Sequence, residues 1–99
     1  MSEAMNEKQK DKIIITVVGK DAVGIIARVC TYLAENWINV EDISQTIVQG
    51  YFNMMMVADA QDCAKEFKVY SDELNTLGED IGVLIRCQKE AIFNKMHRI

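Results

Sequence analysis

Several features of nucleic-acid-binding, disulfide-stabilised and membrane proteins are missing from this chain of 99 residues. Lysine and arginine number 11 against 15 aspartates and glutamates, which leaves no general basic field to attract a phosphate backbone. No apolar run approaches the length of a membrane span, and the polar start "MSEAMNEKQKDK" lacks the apolar core of a signal peptide. We therefore expect a soluble cytoplasmic protein that binds neither nucleic acid nor membrane.

Paired metal-binding or redox cysteines are also missing. Cys30, Cys63 and Cys87 are far apart and lie within apolar patterns, and no CxxC pair occurs, so we interpret them as buried thiols in a reducing compartment. The run Met54 to Met56 does not suggest a thioether site, because adjacent residues of a strand point to opposite faces. We expect no metal and no cofactor.

The composition that remains suits one small domain. Hydrophobic residues make up 49% of the chain and charged residues 26%. Residues 1–11 show no apolar period and are predicted to form a disordered arm, followed by a single domain over 12–99. A domain of this size exposes much of its surface, so a flat sheet face or long edge strand would need a partner to cover it. We therefore expect a homodimer.

The first half of the domain alternates between strand and helix patterns. The β-branched run "KIIITVV" predicts a strand, and "YFNMMMVA" predicts another after the turn signal "QGY". Between them "INVEDISQTIVQ" predicts a strand whose alternation changes phase, which a β-bulge near Glu41 and Asp42 would explain. A helix with a left-handed stop at Asn36 is predicted from an apolar stripe of Ile26, Val29, Cys30, Leu33 and Trp37.

The second half repeats the order of helix and strand. "DCAKEFKVYSDELNTLG" predicts a helix capped by Asp62 at its start and Gly78 at its end, and "IGVLIRC" predicts a fourth strand. The tail is predicted to be a short helix from about residue 90 that packs on the domain or its partner through Ile92, Phe93, Met96 and Ile99. The whole order predicts an α+β, ferredoxin-like βαββαβ sandwich, with a four-stranded antiparallel sheet and both long helices on one face.

This fold serves several functions, which differ in the chemistry of their sites. An RNA-binding module needs stacked aromatic residues on its central strands, but Tyr51 and Phe52 face opposite ways. A metallochaperone needs paired thiols in the first loop, and "GKDAVG" has none. An acylphosphatase needs an arginine in that loop, whereas Arg28 lies a full turn into the helix; this remains a remote enzymatic alternative. His97 lies in a basic tail and is interpreted as a surface residue.

The segment "VVGKDAVGIIARV", followed by "INVEDISQT", resembles the ACT domain, an amino-acid-sensing module of many biosynthetic enzymes and regulators. The resemblance covers about residues 12 to 88, and the ending "AIFNKMHRI" is similar to the stand-alone UPF0237 proteins. It implies an effector pocket at a dimer interface, with Val23 standing where the family commonly has proline. The ligand-binding residues that it implies are Asp21, Ala22, Val23, Gly24 and Ile25 of the loop, and Asn39 from the neighbouring subunit.

Physical chemistry leaves two readings of these residues open. Free N–H groups at the helix start suit an α-carboxylate, and Asp21 suits an α-ammonium. In the alternative reading, Asp21 is a helix N-cap, Gly24 permits close helix–strand packing, and Asn39 bonds within the fold. The function expected is accordingly that of a non-enzymatic homodimer that binds an amino acid and signals to a partner protein, or of a ligand-free dimerisation module.

Overall fold

Four strands and two helices follow one another in the order β1, α1, β2, β3, α2 and β4. The computed structural model describes residues 11–20 and 24–91. The strands are β1 (Lys12–Gly19), β2 (Asn39–Val48), β3 (Tyr51–Asp59) and β4 (Leu84–Lys89), and the helices are α1 (Ile25–Glu35) and α2 (Phe67–Ile81). Neither helix in this part of the chain is long and apolar enough to cross a membrane.

The strands form one antiparallel sheet in the order β2-β3-β1-β4. Central strand β1 is paired on both sides, with Ile15 opposite Met56 of β3 and Cys87 of β4. Each helix connects two strands that are consecutive along the chain but are separated by one other strand in the sheet, as split βαβ units require. The predicted ferredoxin-like fold is confirmed.

The core lies between one sheet face and the two helices. On the helix-facing side of β1, Ile13, Ile15 and Val17 are buried and pack in one cluster with residues of both helices. On β3, Met54 and Met56 are buried in the same cluster, whereas Met55 points to the opposite face and is exposed. Core filling, as expected from strand alternation, is thus confirmed for Met54 and Met56. The helices contribute Ile25, Val29, Leu33, Tyr70 and Leu74.

The β2–β3 hairpin contains the β-bulge and the glycine turn that its sequence predicted. The register shifts between Val40 and Asp42, which confirms the bulge. The turn after Val48 has positive φ at both central residues, 51° at Gln49 and 82° at Gly50. Two positive φ values are what a type I′ hairpin turn requires, and they match the twist of the flanking strands.

The predicted limits of α2 are wrong at both ends. The helix begins at Phe67, with Glu66 and not Asp62 at the N-cap, and it continues to Ile81. Gly82, with φ 76°, ends it in the left-handed conformation. Gly78 lies inside the helix, where a Cβ atom would lie 2.8 Å from the carbonyl oxygen of Val83. The glycine therefore serves close packing of the helix against the segment entering β4.

The end of α1 also differs from its prediction. Asn36 has φ -105°, and the left-handed residue is Trp37, with φ 60°. Trp37 lies outside the helix and is 74% exposed, so its assignment to the buried stripe is wrong. Trp37 follows Leu33 by four residues, which is a helical spacing, but the helix has already ended at Glu35. Residues 1–10 of the arm predicted over 1–11 lie outside the described residues, as does the apolar tail over 92–99.

The cysteines form no disulfide and are partly buried, not fully buried as expected. Cys63 and Cys87 pack at the margin of the core. Burial raises the pKa of the Cys87 thiol to about 12, so little thiolate exists there at neutral pH.

Replacing Gly78 by alanine should destabilise the protein, although alanine usually stabilises a helix relative to glycine. Gly78→Ala improves helix propensity, but its methyl group would overlap the backbone of Val83. We expect a net loss of about 1–3 kcal/mol of unfolding free energy, as for overpacked sites. Urea unfolding measures it, with exposed Glu79→Ala as the control. A Gly78→Ala protein as stable as the wild type would show that the close contact is easily relieved.

Candidate ligand site

The start of α1 has no side-chain cap within the described part of the chain. Gly24 occupies the N-cap position with φ 79°, and its carbonyl oxygen accepts the N–H of Arg28 at 3.0 Å. The first turn also contains no acidic residue. Unneutralised N–H groups and the positive end of the helix dipole make such a terminus suited to an anion.

The predicted loop residues are only partly placed. Ile25 is the first residue of α1 and is buried, so it anchors the helix start on the core. Gly24 occupies the N-cap position of α1 that the alternative reading gave to Asp21. Asp21, Ala22 and Val23 lie outside the described residues. Close helix–strand packing does not explain Gly24, because a Cβ atom there would meet nothing within 4 Å; its positive φ does.

Asn39 lies at the opposite end of the sheet from Gly24. It is the first residue of β2, is exposed and pairs with Asp59, which also pairs with Lys12 at the start of β1. The loop carrying Gly24 follows Gly19, at the other end of β1. Seven residues of strand separate these ends, roughly 24 Å at about 3.4 Å per residue. A single chain therefore does not bring Gly24 and Asn39 together.

A cavity of about 540 Å³ opens beside Asn39, between the end of α1 and the end of β3. The Asp59 carboxylate at its wall accepts the backbone N–H of Gln61 at 2.9 Å. Among the described residues, two carboxylates and two side-chain amides line this cavity, and no lysine or arginine does. The lining residues are Ala34, Trp37, Ile38, Asn39, Asp59, Gln61 and Asp62.

Trp37 reaches this cavity from a strained position. The N–H of Ile38 bonds to the carbonyl of Leu33 at 2.9 Å, and that of Trp37 bonds to Ala34 at 3.2 Å. This pair of bonds defines a Schellman motif, in which glycine usually occupies the left-handed position taken here by Trp37. A bulky residue in that conformation costs of order 1–3 kcal/mol. Apolar periodicity assigned Trp37 to the buried helix face and so did not identify it as a residue of this cavity. The predicted helix stop at Asn36 was the signal that Trp37 lies outside the helix.

A polar cluster between the helices fixes α1, which carries both Gly24 and Trp37 at its ends. The Tyr32 hydroxyl donates to a Glu73 carboxylate oxygen of α2 at 2.5 Å, and the Lys65 ammonium donates to the same oxygen at 2.7 Å. The ammonium also lies 5.8 Å from the centre of the Tyr32 ring. The bond from Lys65, followed by that from Tyr32, lowers the pKa of Glu73. Burial and the bond to Glu73 raise the pKa of Tyr32.

An antiparallel βαββαβ sandwich with the strand order β2-β3-β1-β4 defines the class of small ferredoxin-like α+β domains. The sequence model of the ACT domain matches residues 11–88. A UPF0237 protein of Bifidobacterium longum is 63% identical over 89 residues, covering 90% of this chain and 99% of that protein. One of Listeria monocytogenes is 50% identical over 88 residues, covering 89% and 99%. The chain therefore belongs to the ACT domain family, among its UPF0237 proteins.

Solved structures agree with this assignment. An ACT domain protein from Streptococcus pneumoniae is 44% identical, with a TM-score of 0.74 over 83% of this chain and 92% of that chain. A formyltetrahydrofolate deformylase from Pseudomonas putida is 19% identical and has a TM-score of 0.67 over 79% of this chain but 28% of its own. The second likeness shows the fold alone.

The Tyr32, Lys65 and Glu73 cluster should make stability depend on pH. A lowered folded pKa means that Glu73 contributes its full stabilisation above the ordinary glutamate pKa of about 4.3. That contribution is lost as the pH falls towards the folded value. Glu73→Gln should therefore lower Tm at neutral pH, and the difference from wild type should shrink in acid.

Thermal unfolding across this pH range, followed by circular dichroism, measures the difference. Glu79→Gln is the matched control, because Glu79 is exposed on the same helix and forms no ion pair within the described residues. A Glu73→Gln difference that stays constant from neutral to acid pH would contradict the linkage.

Proposed function

We propose that the protein is a regulatory homodimer that binds an amino acid between its subunits and signals the change to a partner protein, without catalysing a reaction. The observation that carries this proposal is the separation of Gly24 and Asn39 at opposite ends of one sheet. A second copy in antiparallel orientation would join the two half-sites. Membership of the ACT family, with its amino-acid-sensing members, supports the ligand class.

The free edge of the sheet at β2 supports dimerisation. This strand of 10 residues pairs with β3 on one side only within the described chain. Ile43 and Ile47 lie opposite the core residues Met56 and Phe52, yet they are 40% and 76% exposed. An unpaired edge with apolar side chains on its helix-facing side is a surface that a second chain would cover.

The direction of β2 supports the position of the shared site. It runs from Asn39, at the end of the sheet where α1 ends, to Val48, at the end where α1 begins. If two β2 edges pair antiparallel about a two-fold axis, Asn39 of one copy faces the Val48 end of the other. The helix start at Gly24 of the second copy lies at that same end. One ligand can then contact both.

The chemistry of the two ends suits a zwitterion. The uncapped start of α1 offers N–H groups to a carboxylate, while the carboxylate-lined cavity beside Asn39 offers a place for an ammonium group. A ligand-free dimerisation module is the second candidate, because the exposed Ile43 and Ile47 would favour association without any ligand. A thermal-shift screen of amino acids separates the two, because a ligand that prefers the native state raises Tm.

Ile47→Asp should weaken the dimer. A carboxylate at this position would have to be desolvated against the Asn39 end of β2 in the second copy, so we expect the dissociation constant to rise by at least roughly tenfold. Analytical ultracentrifugation over a concentration series measures it. Leu84→Asp is the control, since Leu84 is 53% exposed on the other face of the opposite edge strand. A wild-type protein that stays monomeric at tens of micromolar would refute the shared site.

Asn39→Ala should weaken ligand binding without unfolding the protein. The side chain is exposed within one chain, so its loss should change stability little. Losing one buried hydrogen bond in the complex should reduce affinity roughly tenfold. Titration calorimetry with the amino acid found in the screen, on dimeric Asn39→Ala protein, tests this. Undiminished affinity would place the ligand elsewhere.

A further inference from the structure

We infer that Trp37 is a ligand-binding residue, which covers the ammonium group of a bound α-amino acid with its indole ring. This inference rests on the proposed shared site and adds a residue to it. It also commits to the orientation of the ligand, with the ammonium at the cavity beside Asn39 and the carboxylate at the start of α1 in the second copy.

Folding of the single chain does not explain Trp37. Its backbone is in the left-handed region at φ 60°, and its side chain is 74% exposed. Glycine would satisfy the same Schellman motif without strain and without exposing an aromatic ring to water. Strain that persists at a surface position in a cavity wall indicates a role beyond folding.

The surroundings of Trp37 favour a cation. Asp59 and Asp62 line the same cavity, as do the amides of Asn39 and Gln61, and no basic side chain of residues 11–20 or 24–91 lines it. An ammonium group there would meet carboxylate and amide oxygens, and the face of an indole attracts a cation through its quadrupole. Carboxylates and an aromatic face together select an amine and disfavour an anion.

The topology places the ligand's other end. Trp37 follows α1 directly, so it lies at the opposite end of that helix from Gly24. In the antiparallel dimer, Trp37 of one copy therefore lies at the same end as Gly24 of the other. We place the carboxylate of the amino acid at that helix start, where N–H groups suit an anion.

Trp37→Gly tests the inference, because its effects on Tm and on ligand affinity should differ. A residue that acts only in the fold would lower Tm when replaced, whereas one that acts only in binding would lower affinity. Without ligand, Trp37→Gly should keep or raise Tm, because glycine relieves the left-handed strain. Affinity for the amino acid found by thermal shift should fall roughly tenfold or more in calorimetry. Trp37→Phe, which keeps an aromatic face, should retain most of the affinity. Gln49→Gly, at the other non-glycine residue of positive φ among those described, shows the Tm gain from strain relief alone.

Fluorescence supplies an independent readout, because Trp37 is the only tryptophan in the chain. Adding the same amino acid should shift its emission and protect it from iodide quenching. The N-acetyl derivative, which lacks the ammonium charge, should bind much more weakly.

The outcomes separate this inference from the proposed function. An amino acid that binds without changing Trp37 emission, and equally well to Trp37→Gly, overturns the role of Trp37 and leaves the sensor function standing. An N-acetyl derivative that binds as tightly as the free amino acid overturns the orientation. If no amino acid raises the Tm of the wild-type dimer, both the sensor function and the role of Trp37 are wrong.

Discussion

The burial of β1 between two neighbouring strands and two helices is the constraint on which the other elements depend. Ile13, Ile15 and Val17 lie on the face that the helices cover, and each pairs in register with β3 on one side and β4 on the other. Since successive strand residues alternate between faces, a shift of one residue would move all three to the opposite face, away from the helices. This register sets the direction of α1 across the sheet, and therefore the distance between Gly24 at its start and Asn39 beyond its end.

Features that folding does not explain are concentrated away from this core. Trp37 combines left-handed backbone with exposure, and Ile43 and Ile47 remain exposed on the side of β2 that faces the helices. Within the described residues, the start of α1 has neither a side-chain cap nor an acidic residue in its first turn. Each feature is unfavourable for an isolated chain; a second copy placed as proposed would cover Ile43 and Ile47, and a ligand would cover the Trp37 ring and supply an anion to the helix start. Their common explanation is stronger than separate local ones.

Element boundaries were predicted well where one local rule applied and poorly where packing competed with it. The bulge between Val40 and Asp42 and the turn at Gly50 follow from alternation and turn chemistry within a few residues. Gly78 looked like a helix end because glycine commonly ends helices, but the approach of Val83 requires glycine inside the helix. Glu66 replaces Asp62 at the N-cap, since α2 begins only at Phe67, whose ring packs on Tyr70.

The sequence by itself determined the fold class, the family and the identities of Gly24 and Asn39, because apolar periodicity and a short motif are local along the chain. Only the tertiary structure decided where those residues lie relative to one another. Strand order places Gly24 and Asn39 at opposite ends of the sheet and brings Asp59 and Asp62, distant in sequence, beside Trp37. Such contacts depend on the register of paired strands and the direction of a crossover helix, which no local pattern of residue types encodes.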